Sequence, residues 1–364
     1  MRFDLDTVLV EERCRTSPLV ERVIGAVGDR VLVRFINDAR AVIRPDFTAR
    51  DPFAAGKRQM VLMRRDAPFL MGCPAGSAKF ACCGYLVMVL ASNCPMDCSY
   101  CFLQEYVADN PALQIYTNYT DVFEELDRLR PRGAGLKQRV GTGELADSLA
   151  FDSITGIAGD LVEYFARHDH LLLELKTKTD EIENLLRVDP KGNTLVSWTL
   201  SPERVFHSSE HRTASPDARI AAARSVLEAG YKVAFHLDPI IAYPEAEQDY
   251  AELLEKLFAT IPPYRVSFIS MGGLRMTPDL RRRARQRFPQ DPMLVGEEVL
   301  SSDGRYRAFT PLRLKLFGQL RERIALANSR MPIYLCMENA GAYQRVFGAA
   351  PSSPARLGAD LAGA

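Results

Sequence analysis

Residues 91–106 read ASNCPMDCSYCFLQEY, which puts Cys94, Cys98 and Cys101 in a CxxxCxxC spacing. Thiolates this close together bind soft metals. A structural zinc site takes four protein ligands, typically in paired spacings. No second pair lies nearby, and the adjacent Cys82 and Cys83 are poorly spaced for chelation. A redox pair of the thioredoxin kind needs only Cys98 and Cys101, which leaves Cys94 without a role. A 4Fe–4S cluster held by three cysteines accounts for all of them and leaves one iron without a protein ligand. Such an iron can bind a small molecule through an amine and a carboxylate.

Those thiols need elements that place them. From residue 84 the sequence alternates apolar runs with helix-like segments: YLVMVLAS, QRVGTG, LLLELKT, TLVSWTLS, KVAFHLDPI and RVSFISMG each precede a helical pattern, DEIENLLRV after the third among them. Strands separated by helices pair in parallel, so the fold expected is α/β, a partial (βα)6 barrel whose site lies at the C-terminal ends of its strands. The cysteine loop follows the first strand. Asp238 ends the fifth inside an apolar run, where a carboxylate without a partner is costly to bury, and His236 shares its face. Four segments are expected. Residues 1–83 form an N-terminal β-containing extension with a hairpin in RVIGAVGDRVLVRFIND, and 84–290 form the barrel. Residues 291–348 form a C-terminal extension with a hairpin around Asp303-Gly304, a helix and a short strand. Residues 349–364 form a disordered tail rich in Pro, Ala, Gly and Ser.

CxxxCxxC followed by an aromatic residue, opening a βα barrel, resembles the radical S-adenosylmethionine enzymes. CSYCFLQEY, LLLELKTKTDEIENLL, TLVSWTLSPERV, SPDARIAAARSVLEAGYKVAFHLDPI and SMGGLRMTPDLRRRARQRFP are similar, in order, to the spore photoproduct lyase family. The resemblance implies a 4Fe–4S cluster on Cys94, Cys98 and Cys101, with S-adenosylmethionine on the open iron. It implies cleavage of that cofactor to a 5′-deoxyadenosyl radical, and carbon–carbon bond cleavage in a DNA photolesion. It also implies a reductant such as flavodoxin or ferredoxin. Lys178 matches a family lysine near the methionine carboxylate, and Thr199 stands where the family has a serine near the cofactor. Gly143-Glu144 matches a turn that receives the cofactor's amino group, and Asp238 joins the cofactor-binding set. Two departures bear on the reaction. Aligning LADS on the family segment puts Glu144 where the lyase has its hydrogen-donor cysteine, and a carboxyl O–H is far too strong to donate a hydrogen atom. Phe102 occupies a family relay position and lacks the hydroxyl that Tyr100 keeps. Cys336, ending the strand-like IYLCMEN, is the candidate substitute thiol.

Lys and Arg number 46, and so do Asp and Glu, so any attraction to nucleic acid must be local. Arg281, Arg282, Arg283, Arg285 and Arg287 crowd one helix, and with Arg305 and Arg307 they are the candidate phosphate contacts. No run is long and apolar enough to span a membrane, MRFDLDTVLVEER has acidic residues where a signal peptide is expected to be basic and then apolar, and eight scattered cysteines do not suggest a disulfide framework. A cytoplasmic protein without membrane contact is expected. Two other readings stay open. One is a radical enzyme of the same family acting on another nucleic acid or a small molecule without a thiol donor. The other is a non-catalytic iron–sulfur or zinc protein that binds nucleic acid.

Overall fold

In the computed structural model, which describes residues 4–39, 48–73, 80, 81, 83–131 and 136–351, the six expected strands lie side by side in one curled sheet. They are β1 (Leu86–Met88), β2 (Gln138–Gly141), β3 (Leu171–Thr177), β4 (Thr194–Thr199), β5 (Lys232–Ile240) and β6 (Val266–Gly273). A seventh strand, β7 (Ile333–Leu335), joins beyond β6. All seven run parallel in chain order, and Leu70–Gly72 pairs antiparallel with β1. Leu171, Leu172, Leu173 and Leu175 of β3 are all fully buried. Both faces of that strand are covered, so its sequence is a continuous apolar run and not an alternation.

Helices Ile157–Phe165, Pro216–Glu228 and Ala246–Thr260 make crossovers as expected. The unit after β3 differs: DEIENLLRV yields only a 3-10 turn at Leu185–Arg187. The Thr177 and Thr179 hydroxyls accept the backbone N–H groups of Thr179 and Glu181 at 3.0 and 3.1 Å, which holds the chain in successive turns instead of a helix.

The N-terminal hairpin is also corrected. RVIGAV belongs to a helix, Pro18–Val27, with Pro18 in its first turn and Leu19, Val20 and Val23 buried. Gly28, at φ +73°, ends the helix and does not form a strand turn. Leu32–Ile36 then pairs parallel with Thr7–Glu11. These strands, with Gln59–Met63, Leu113–Tyr116 and Ala91–Ser92, form a second, five-stranded sheet. Two of its strands come from beyond residue 83, so the first two expected segments share a sheet. In the C-terminal segment the hairpin forms from Glu298–Leu300 and Tyr306–Ala308, followed by the helix Thr310–Ala327. Residues 352–364 of the expected tail lie outside the described residues. Among those, no helix is long and apolar enough to cross a membrane.

Inside the curl, side chains climb each strand in steps of two. Leu172, Leu195, Ala234, Phe268 and Tyr334 make an apolar floor. One step up, Glu174 accepts hydrogen bonds from Ser197 and His236, both at 2.8 Å, and pairs with Arg139 at 3.3 Å. His236 Nδ1 lies 2.6 Å from Ser270 Oγ. Another step brings Lys176, Thr199 and Asp238 to the walls of a cavity.

Candidate active site

The cavity has a volume of about 590 Å³ and opens at the C-terminal ends of the strands. Cys94, Cys98 and Cys101 all line it, together with Tyr100, Gly143, Glu144, Lys178, Thr199 and Asp238. Cys336 does not: its sulfur lies 3.8 Å from Arg275 Nη2, and it packs against the apolar floor. His236 is likewise buried beneath the cavity and absent from its lining.

The cysteine loop is held at several points. Asn93, at φ +68°, accepts the Cys94 N–H at 2.8 Å and donates to the Pro111 carbonyl at 2.6 Å. Asp97-Cys98 pairs antiparallel with Glu210-His211. Gln104 donates to the Ser99 carbonyl at 2.8 Å, and Ser99 Oγ donates to Asp291. Burial raises all three thiols, Cys94 to about 12. They are costly to ionise alone, and a bound metal is the partner that deprotonates such thiols. Among the described residues, no group of three His, Cys, Asp or Glu converges on one metal-sized point. All three thiols line one cavity, which suits a cluster that takes one thiolate per iron. The loop fits a 4Fe–4S cluster.

The charges beside it are already paired. Glu144 accepts a hydrogen bond from Lys176, a residue the sequence reading missed. Burial would lower the Lys176 ammonium, but Glu144 outweighs it and holds the ammonium above its ordinary value. A side chain at Gly143 would meet the Lys176 Cβ at 2.6 Å, so glycine makes room for that lysine. Lys178 is not a free cation: it pairs with the buried Glu210 at 3.2 Å and lies 5.6 Å from the Tyr100 ring centroid. Glu210 also accepts from the Tyr100 hydroxyl, from Ser201 at 2.8 Å and from Arg219 at 2.6 Å. Burial opposes ionisation of Glu210, but Lys178 and Arg219 hold its carboxyl well below the usual range. Asp238 is gripped through both oxygens by Arg275, at 2.8 and 3.1 Å, and Arg275 also lines the cavity. Asp147 accepts the Lys178 N–H and the Thr177 hydroxyl, both at 2.7 Å, latching the turn after β2 to the end of β3.

The missed residues carried faint signals. Lys176 lies two positions before Lys178 on one strand face, and Arg275 follows a Gly-Gly pair; Glu210 had none. The basic helix, Pro278–Arg287, is more internally engaged than its composition implied. Arg281 pairs with Glu298 at 2.7 Å, and Arg285 lies 3.7 Å from the same carboxylate. Arg282 pairs with Asp279 at 3.0 Å, and Arg287 grips Asp51 and Asp97. Arg283 stays half-buried. Arg307 is buried against Asp303 and Glu338, whereas Arg305 reaches the cavity.

Residues 53–308 match the family model described as spore photoproduct lyase. The chain belongs to the spore photoproduct lyase family. It is 24% identical over 295 residues to the spore photoproduct lyase of Clostridium acetobutylicum, covering 80% of this chain and 85% of that protein. It is 28% identical over 278 residues to that of Geobacillus sp. (strain Y412MC61), covering 76% and 74%. Its fold is similar to that of a spore photoproduct lyase mutant with bound AdoMet and dinucleoside spore photoproduct. That likeness has a TM-score of 0.80 and 22% identity, over 92% of this chain and 99% of the other. As a member of this family the chain is a radical S-adenosylmethionine enzyme, with a 4Fe–4S cluster and S-adenosylmethionine as its cofactors.

Proposed function

We propose that this enzyme is a lyase that breaks the carbon–carbon bond of a thymine photolesion in DNA. The observation that carries the reading is the convergence of three loop thiols and two internal ion pairs on one cavity at the strand ends. When bound, the cluster and S-adenosylmethionine supply a 5′-deoxyadenosyl radical. Cys94, Cys98 and Cys101 would hold the cluster.

The cofactor's methionine end is a zwitterion, and the paired charges suit it. Glu144 can exchange Lys176 for an ammonium while Lys176 or Lys178 turns to a carboxylate, so no charge is left buried alone. Gly143 leaves the room, and Thr199 and Asp238 complete the wall. Tyr100 is held by Glu210 and would orient the groups around it. Arg305 at the cavity and Arg282 on the helix are the phosphate contacts we infer: Arg305 reaches the cavity, and the Arg282–Asp279 pair is solvent-exposed and readily exchanged, whereas Arg281 and Arg285 turn to the mostly buried carboxylate of Glu298. Flavodoxin or ferredoxin is the kind of reductant this chemistry uses, and a cytoplasmic setting is in keeping with it.

The step left to assign is the return of a hydrogen atom to the product radical. Among the described residues, the cavity's cysteines are the three of the loop. We propose Cys336 as donor. Burial raises its thiol and keeps the S–H intact, and a side-chain movement of Arg275 would uncover it. A second reading has its own support: on the sequence resemblance Glu144, here paired with Lys176, takes the position of the family's thiol, which suits a reaction without a thiol donor.

The test is anaerobic turnover of the dinucleotide lesion in deuterated water, where thiol hydrogens exchange. Thymine carrying solvent deuterium is expected from the wild type, and by-products from Cys336→Ala. Cofactor cleavage without thymine would favour the second reading. Deuterated thymine from Cys336→Ala would keep the lyase and move the donor elsewhere.

A further inference from the structure

The five-stranded N-terminal sheet has no part in the chemistry described above, yet one of its neighbours is buried in the cysteine loop. Lys57 follows the short helix Pro52–Gly56 and is 7% exposed. Its ammonium donates to the Met96 carbonyl at 2.5 Å and to Asp97 Oδ1 at 3.0 Å. Met96 and Asp97 lie between Cys94 and Cys98. Arg287 donates to both Asp97 oxygens at 3.0 Å, and to Asp51 at 2.9 and 3.0 Å. Asp51 caps the same short helix. The Phe53 ring lies 4.7 Å from each cation. Lys57, Asp97, Arg287 and Asp51 therefore form a chain of two cations and two carboxylates in alternation, balanced in charge and built around the Phe53 ring.

We propose that Lys57 is a positioning residue that clamps the cysteine loop and, through its charge, sets the reduction potential of the cluster that the loop holds. The inference rests on the cluster reading above and extends it to a part of the chain with no other assigned role. The sign follows from the balance. Without Lys57, two carboxylates share one guanidinium, and an uncompensated negative charge stands beside a group that must accept an electron. Reduction becomes harder and the midpoint falls. Neutralising Asp97 leaves an uncompensated cation, and the midpoint rises.

The experiment uses the full chain, loaded anaerobically with iron and sulfide, and follows the reduced cluster by electron paramagnetic resonance across a potential series. Lys57→Met should lower the reduced-to-oxidised ratio at fixed potential about tenfold, equivalent to about 59 mV for a one-electron couple. Asp97→Asn should raise it, and Lys57→Arg should return it near the wild type. A merely structural role would cost iron in both variants without opposite shifts. Unchanged midpoints, or shifts of one sign, overturn the proposal. If Lys57→Met does not fold, Asp97→Asn alone decides: a fall or no change overturns it. A wild-type chain that takes up no cluster overturns the cluster reading itself.

Discussion

At the residue scale the site divides into thiols that hold a metal group and charges that hold its partner. Replacing Cys94, Cys98 or Cys101 with Ala should abolish the broad absorbance near ~400 nm expected of a thiolate-bound cluster, and with it the release of 5′-deoxyadenosine. Cys14→Ala should keep both, because Cys14 is buried away from the cavity and accepts a hydrogen bond from Thr117 at 3.1 Å. Glu144→Gln and Lys176→Met should weaken S-adenosylmethionine binding by roughly ten- to a hundredfold, the worth of a charge-assisted hydrogen bond. Iron content should stay near normal; equal binding in both variants would show that the pair is structural. The cysteines were legible because their spacing is local. Lys178 was legible as a residue but not as a paired one, because Glu210 reaches it from another element, 110 residues from the Tyr100 it also binds.

At the element scale the strands were readable and some connections were not. Apolar runs such as LLLELKT, short and set between helical patterns, read as strands buried on both faces, and this one is. VLVRFIND does become a strand, but the residues before it carry a helical apolar face that alternation alone did not distinguish. One polar step inside the curl was legible in the sequence only at His236: Arg139, Glu174, Ser197 and Ser270, which complete that step, come from four other strands. Burial would raise the Glu174 carboxyl, yet Arg139 and His236 hold it at about 2, below its usual 4.5. A carboxyl depressed in the folded state stabilises it fully above the unfolded value and loses that contribution as pH falls toward the folded one. Stability should therefore decline between about pH 4.5 and 2, by up to about 3 kcal/mol from this group. Thermal unfolding of Glu174→Gln against pH should show a shallower decline across that window. An identical slope would mean that another carboxyl controls it.

At the scale of the whole molecule, the two sheets and the C-terminal segment form one support for a short loop. The family fold accounts for the curl and its open end, and paired charges line that opening. Ser99 in the loop bonds both Ser209 and Asp291, and Asp97 is held by Lys57 and Arg287. The Ser99–Asp291 contact spans 192 residues. That span fixes an order of events during synthesis. At ~5–20 residues per second, the loop leaves the ribosome roughly 10–40 s before Asp291, one of its anchors. In that interval Lys57, Asn93 and Gln104 can already hold the loop, while Ser99 and Asp97 still lack their partners Asp291 and Arg287. A cluster loaded before residues 287–291 are made would enter a loop still short of those two anchors, and the full hold on it comes only once that stretch is in place.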